Sequence, residues 1–230
     1  MNVYQIRIKL MMLENIKIKD IDEKIAALID KSFLENENMA NFHKENKFKN
    51  YCFDLPYPIE SDGIYKKEKI YTITIRTIDS DLAKFFNEVS VNTFTKEIKG
   101  LVSEVKTIPK KTIDKLYSLK PVISKGNDNR WIGNITVDRY EDILKINLIR
   151  KWNSISDKKI SDDFQFNDLI VFDNKHPISF KYKSLNLLGD KIELKISSNK
   201  TAQDLAYMAI GTGIMQMNAR GAGFVGYKYL

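Results

Sequence analysis

The sequence predicts an α+β fold in which the element order β-α-β-β-α-β is used twice in tandem. Three observations carry that expectation. Segments of alternating apolar and polar residues mark half-buried strands at the start, the middle and the end of the chain. Segments with apolar residues at helical spacing fall between them. Pro109-Lys110-Lys111 breaks the pattern midway, and the order of elements then starts again.

In residues 3–10, Tyr4, Ile6, Ile8 and Leu10 fall on one face and Gln5, Arg7 and Lys9 on the other, as in a half-buried strand. Asp20 stands at the N-cap of a helix in which Ile21, Ile25, Leu28, Ile29 and Phe33 share a face. Residues 35–49 are polar and rich in Asn and Lys, and read as a loop. Tyr51–Leu55 forms a short strand stopped by Pro56 and Pro58. A turn at Asp62-Gly63 leads into a strand over 70–78, where Tyr71, Ile73 and Ile75 alternate with Thr72, Thr74 and Arg76. Asp79 or Ser80 caps a short helix with Leu82, Phe85 and Phe86 inward, and Leu101–Ile108 closes the first unit as a strand.

The second unit opens with a strand over 117–124, which Pro121 restricts to an edge or bulged position. Asp138 and Glu141 form a capping pair for a helix through Trp152, with Tyr140, Ile143, Leu144, Leu148 and Trp152 on one side. Residues 169–172 and 178–188 read as strands, and Gly189-Asp190 as a hairpin turn before another strand over 192–196. Thr201 caps a helix over 202–210, with Asp204 three residues on. A glycine-rich loop and a strand over 223–230 end the chain. The expected boundaries are 1–112 and 113–230, each unit ferredoxin-like (RRM-like). The repeat is one of element order, with no clear sequence identity between the halves.

Composition bounds the function. At 43% hydrophobic residues the chain has enough apolar material for a buried core. A net charge of +7 and a pI near 9.2 allow an anionic partner such as nucleic acid, although a solvated lysine-rich surface accounts for so mild an excess as well. The single Cys52 excludes an internal disulfide framework and a cysteine-based zinc site. No cluster of Asp, Glu, His or Cys has metal-ligand spacing, so neither metal nor cofactor is expected. The absence of a long apolar run predicts no membrane span, and the N-terminal alternation is not a signal core. A cytoplasmic protein is the expectation, as monomer or homodimer.

Five of the ten glycines lie in the last twenty residues, which concentrates conformational freedom at one place. Gly211, Gly213, Gly221 and Gly223 flank a polar stretch that ends in Arg220. Two readings fit: a loop whose N–H groups and arginine face a phosphate, or a helix C-cap at Gly211 followed by a bulged strand. Arg220 is the best phosphate ligand by its guanidinium fork, with a salt bridge to a carboxylate as the alternative use. Lys228, Arg7, Lys9 and Lys47 are further candidates for contact with a phosphate backbone, Arg7 and Lys9 by way of a cleft between the units.

Together these features resemble the CRISPR-associated repeat-processing endoribonucleases of the sixth Cas type, within the repeat-associated RNA-binding superfamily. The residues that carry the resemblance are Gly211-Thr212-Gly213 and Gly221-Ala222-Gly223 around Arg220, Leu119-Lys120-Pro121-Val122, and Phe42-His43 ahead of Lys49 and Tyr51-Cys52-Phe53. The stretch between the glycine pairs is longer than is common, and Thr212 and Ala222 are less apolar than usual. Several members place a tyrosine in the first helix. Here that place holds Leu28 and Asp30, which shifts weight to His43 and Lys49.

The resemblance implies cleavage of CRISPR repeat RNA without metal, by attack of a 2′-hydroxyl that leaves a 2′,3′-cyclic phosphate. His43 then serves proton transfer, because imidazole titrates near neutral pH. Lys49 then stabilises charge on the phosphorane. A solvated loop histidine is the plainer reading of His43, and a turn residue that of His176. Two other expectations compete with cleavage: a non-catalytic RNA-binding scaffold subunit of a CRISPR effector complex, and a protein–protein interaction domain.

Overall fold

The computed structural model describes residues 1–89, 91–124 and 133–230. The first unit contains β1 (Val3–Met12), β2 (Ile16–Lys17), α1 (Ile21–Leu34), α2 (Glu37–Lys44), β3 (Tyr51–Phe53), β4 (Ile64–Tyr65), β5 (Ile70–Thr77), α3 (Ser80–Val89) and β6 (Ile98–Ile108). Its main sheet runs β3-β5-β1-β6 and is antiparallel throughout. The second unit contains β7 (Ile113–Ser118), α4 (Val137–Ile155), β8 (Asn167–Phe172), β9 (Ile178–Tyr182), β10 (Leu185–Gly189), β11 (Ile192–Ile196), α5 (Lys200–Thr212) and β12 (Val225–Tyr229). Its sheet runs β12-β7-β11-β8, again antiparallel. Both sheets therefore follow the ferredoxin-like order, with the unit's first strand between its third and fourth.

Tyr4 to Met11 of β1 pair in register with Thr77 to Ile70 of β5, so Ile6, Ile8 and Leu10 turn together into the first core. Helix α1 lays Ile25, Leu28, Ile29 and Phe33 on that face. The second core forms where α4 presents Tyr140, Leu144 and Leu148 beside Leu116, Ile192 and Leu194. Helix α5 is buried nearly all round, because it contacts both the second sheet and the strands β1, β3 and β5 of the first. Ala202, Ala206 and Ala209 keep it thin, and a side chain at Gly211 would meet Ile78 at 2.8 Å. The units are also joined by Arg76 of β5, whose guanidinium donates to the Val225 carbonyl at 2.7 Å and lies over the Phe224 ring.

Several sequence expectations are corrected. Residues 37–44 are helix rather than loop, because Asn36 accepts the Met39 N–H and caps α2 while Met39 and Phe42 pack on the first core. Asp20 precedes α1, but its side chain bonds Lys181 instead of capping the helix. Thr136 caps α4 in place of the Asp138–Glu141 pair, and Asn199 caps α5 in place of Thr201. The C-cap of α5 is Gly213, not Gly211. The strand expected over 117–124 ends at Ser118, because the backbone beyond it turns to bond the glycine loop, Pro121 accepting the Gly223 N–H. The single strand expected over 178–188 is the hairpin β9–β10, which turns at Lys183 in the left-handed region. Gly189-Asp190 is not a hairpin turn, since β11 pairs with β7 and β8.

Candidate active site and nucleic-acid interface

Helix α2 places His43 in its last turn beside α1. Phe42 seats that turn, with its ring 5.6 Å from Phe33. The His43 ring stacks on Phe33 at 5.8 Å. Its Nδ1 lies 3.6 Å from Asp30 Oδ1, which turns the Nε2 edge away from the carboxylate. Asp30 comes from the C-terminal part of α1, one helical turn before Phe33 and Leu34.

Arg220 reaches the same carboxylate from the other unit. Its Nη1 is 2.7 Å from both Asp30 oxygens, and the guanidinium lies 5.5 Å from the Tyr182 ring. Burial works against the Arg220 charge, but the hydrogen bond and proximity of Asp30 outweigh it and hold the group above its ordinary range. The carboxylate pair that the sequence offered for Arg220 is formed, with Asp30 as its partner. It makes Asp30 the shared anion of an arginine and a histidine, and 23% of its side-chain surface stays exposed.

Lys49 stands next to this cluster. Its ammonium donates to the carbonyls of Phe42, His43 and Glu45, at the C-terminal end of α2. An ammonium has three N–H donors, so all are engaged. Cations at a helix C-terminus are favoured by the unpaired carbonyls there. Lys49 therefore holds the turn that carries His43. Burial pushes its ammonium below the ordinary lysine range.

The glycine loop is closed on protein rather than open to solvent. A short 3₁₀ turn, Asn218–Arg220, follows Met217, whose φ is 62°. The N–H groups of Ile214, Gln216, Gly221, Ala222 and Gly223 bond protein carbonyls. A Cβ at Gly213 would meet Asn218 Nδ2 at 2.6 Å, and one at Gly223 would land on the Ile214 carbonyl oxygen. Gly221 sits 2.8 Å, by the same measure, from Asp22 Oδ1. Gly211, Gly213, Gly221 and Gly223 thus meet protein atoms where an open phosphate cradle was expected. They pack closely around the turn that carries Arg220.

A cleft of about 230 Å³ opens beside the loop, lined by Lys47, Lys49, Lys151, Gln216, Asn218 and Arg220 among others. Lys47 is at its rim, paired with Glu45. A larger groove of about 800 Å³ lies where α1 meets β9–β10, and brings Lys19, Lys181 and Lys183 together over a buried Lys120–Asp22 pair. The structure does not bring Arg7, Lys9 or Lys228 into either. Arg7 pairs with Glu104 on β6, Lys9 is exposed on β1, and Lys228 lies opposite Lys115 on the second sheet. His176 is exposed before β9, and Cys52 is buried against the Ile210 and Gly211 carbonyls. Tyr227 and Tyr229 pack at the second core.

Sequence reasoning missed Asp30 as a partner, Tyr182 and Lys151. Lys151 had a signal: it falls three residues after Leu148, within the apolar stripe of α4. Asp30 had none, since a polar residue on the open flank of a helix is ordinary.

No family model matches the chain, and no curated protein matches it. Solved structures do. A CRISPR-associated protein Cas6 superposes with a TM-score of 0.73 at 18% identity, over 98% of this chain and 99% of that one. "An RAMP protein binding different RNA substrates" gives 0.70 at 14%, over 98% and 99%. A Cas6-related protein from Pyrococcus furiosus gives 0.68 at 16%, over 98% of each. The chain shares the fold of these Cas6-type proteins along nearly its whole length.

Proposed function

We propose that this protein binds CRISPR repeat RNA and cleaves it within the repeat, leaving a 2′,3′-cyclic phosphate. The observation that carries the reading is the convergence of His43, Asp30 and Arg220 from the two units, at the mouth of a cationic cleft, in a fold shared with Cas6 proteins.

In this reading the scissile phosphate sits against Arg220, and RNA on one side of it follows the Lys19, Lys181 and Lys183 groove. Arg220 meets charge that grows on the non-bridging oxygens. His43 moves a proton at the 2′-hydroxyl or at the leaving 5′ oxygen through Nε2, while Asp30 holds the ring from Nδ1. Lys49 acts at one remove, by fixing the turn that carries His43 and by adding positive potential. Proton transfer by one placed residue contributes roughly 10²–10⁴-fold.

The test is single-turnover cleavage of cognate repeat RNA in excess EDTA, with the ends mapped. The expected products carry a 2′,3′-cyclic phosphate and a 5′-hydroxyl. His43→Ala should lose roughly 10²-fold or more in rate and less than about tenfold in affinity. Loss of activity on chelation, restored by magnesium or manganese, overturns the mechanism. Wild-type protein that binds the RNA and leaves it intact makes the protein a binding subunit instead.

A further inference from the structure

The cleft beside the glycine loop has an unusual floor. The described residues lining it include four cations, Lys47, Lys49, Lys151 and Arg220, and among them no Asp or Glu. Lys47 and Arg220 are matched by carboxylates outside the cleft, Glu45 and Asp30. Lys151 has no carboxylate partner among the described residues, and its residue is only 2% exposed. Its ammonium donates to the Gly213 carbonyl at 2.8 Å and to Asn218 Oδ1 at 2.7 Å, both neutral acceptors. Two of its three N–H bonds are used, and one remains.

Burying an ammonium against neutral oxygens alone is costly, because nothing replaces the water that stabilised its charge. Among the described residues the surroundings supply no anion. From β3 comes the Cys52 thiol, which burial pushes up to about 12 and so keeps neutral near pH 7. From the segment before β3 come Lys47 and Lys49, and from the 3₁₀ turn come Asn218 and Arg220. Desolvation accordingly lowers Lys151 to about 7. An apolar residue at this position of α4 would remove that cost. A lysine here makes chemical sense if an anion enters the cleft.

We propose that the cleft is an anion subsite in which the free N–H of Lys151 meets a backbone phosphate of bound RNA, and that filling it draws a proton onto Lys151. The proposal rests on the reading that this protein binds RNA, though not on cleavage. A phosphodiester keeps one negative charge across neutral pH, so the added proton belongs to the protein. The charge that the fold alone disfavours is then held and compensated in the complex. This couples RNA binding to the packing of both glycine pairs, because Asn218 also donates to the Ile214 and Ala222 carbonyls.

The sign of the linkage follows. Between pH 7 and about 10.5 the unfolded chain holds a proton at this lysine that the folded chain has released. Binding of an anion returns it. At pH 8 a group lowered to about 7 is mostly neutral, so a large part of one proton is taken up per complex.

The experiment is calorimetric titration of the full-length protein at pH 8 with an unphosphorylated 2′-O-methyl RNA of the repeat sequence, which cannot be cleaved. Paired buffers of different ionisation enthalpy give the number of protons bound. A His43→Gln background removes the imidazole contribution. Uptake of about 0.5–1 proton in that background, absent in His43→Gln/Lys151→Met, is the expected result. Affinity of the Lys151→Met protein should fall less steeply as pH rises from 6 to 8.5. Zero uptake, or the same uptake with and without Lys151, overturns the proposal and leaves Lys151 as a strut of the loop. If Lys151→Met fails to fold, the His43→Gln protein alone decides, since zero uptake there is sufficient to refute. Failure to bind RNA at all sinks the RNA reading. Sulfate, whose charge is constant over this range, then tests the subsite: proton uptake with sulfate keeps it as an anion site, and none discards it.

Discussion

Replacing Asp30 by Asn keeps the side chain's volume and removes the anion shared by Arg220 and His43. At an effective dielectric of about 20, one charge pair at 2.7 Å is worth about 6 kcal/mol before desolvation is counted. The Arg220 and Asp30 side chains keep 27% and 23% of their surface in solvent, so screening and desolvation take most of that back. A net loss of about 1–3 kcal/mol is left, the range for hydrogen bonds to charged groups. For a chain of this size that lowers the melting temperature by roughly 2–12 °C. The catalytic effect is separate. The His43–Asp30 contact, at 3.6 Å, is longer than a hydrogen bond. Its loss should therefore slow single-turnover cleavage by roughly 10–10²-fold, less than the roughly 10⁴-fold seen where a carboxylate fixes the tautomer directly. RNA affinity should move the other way. Arg220, released from Asp30, is freer to meet phosphate, so the dissociation constant should hold or tighten by up to about tenfold, about 1.4 kcal/mol. The assay is a single-turnover time course beside a binding isotherm and a thermal melt. Wild-type cleavage in Asp30→Asn refutes the positioning role. A parallel loss of rate and affinity refutes it too, since that is what general damage to the loop would produce.

Arg220→Ala should weaken RNA binding and reduce the salt dependence of log K by about 0.7–0.9, the value of one phosphate contact, and a wild-type slope in binding isotherms across a salt series would remove Arg220 from the interface. Gly223→Val should destabilise more than Gly63→Ala. The former has φ of 64° and a Cβ position occupied by the Ile214 carbonyl, while the latter has φ of 67° and only Ile18 near, at 3.5 Å; equal melting temperatures would show that the loop relaxes freely.

Much of the architecture was legible in the sequence. Period-two alternation in β1 and β5 and the apolar stripe of α1 depend on which face of a local element must be dry, and that requirement is written residue by residue. The twofold element order followed from it, as did the concentration of special backbone in the last twenty residues. Helix α2 was hidden because its cap, Asn36, sits in an Asn- and Lys-rich stretch, and its anchors, Met39 and Phe42, are only two. Cap positions at α4 and α5 moved by two residues each, because Thr136 and Asn199 take the first free N–H groups of their helices.

The site was legible only in part. His43, Lys49 and Arg220 were singled out by residue type, and tertiary structure decided what each one touches. It turned Lys49 into the brace of a helix end and the glycines into packing positions. It left Arg7, Lys9 and Lys228 on outward sheet faces, and supplied Asp30, Tyr182 and Lys151. The physical reason is range. Strand and helix patterns express burial over neighbouring residues, whereas the Arg220–Asp30 pair joins groups 190 residues apart, and the Lys151–Asn218 bond joins groups 67 apart. Whether such a pair forms depends on how two sheets and the buried helix between them pack, and no local pattern encodes that distance.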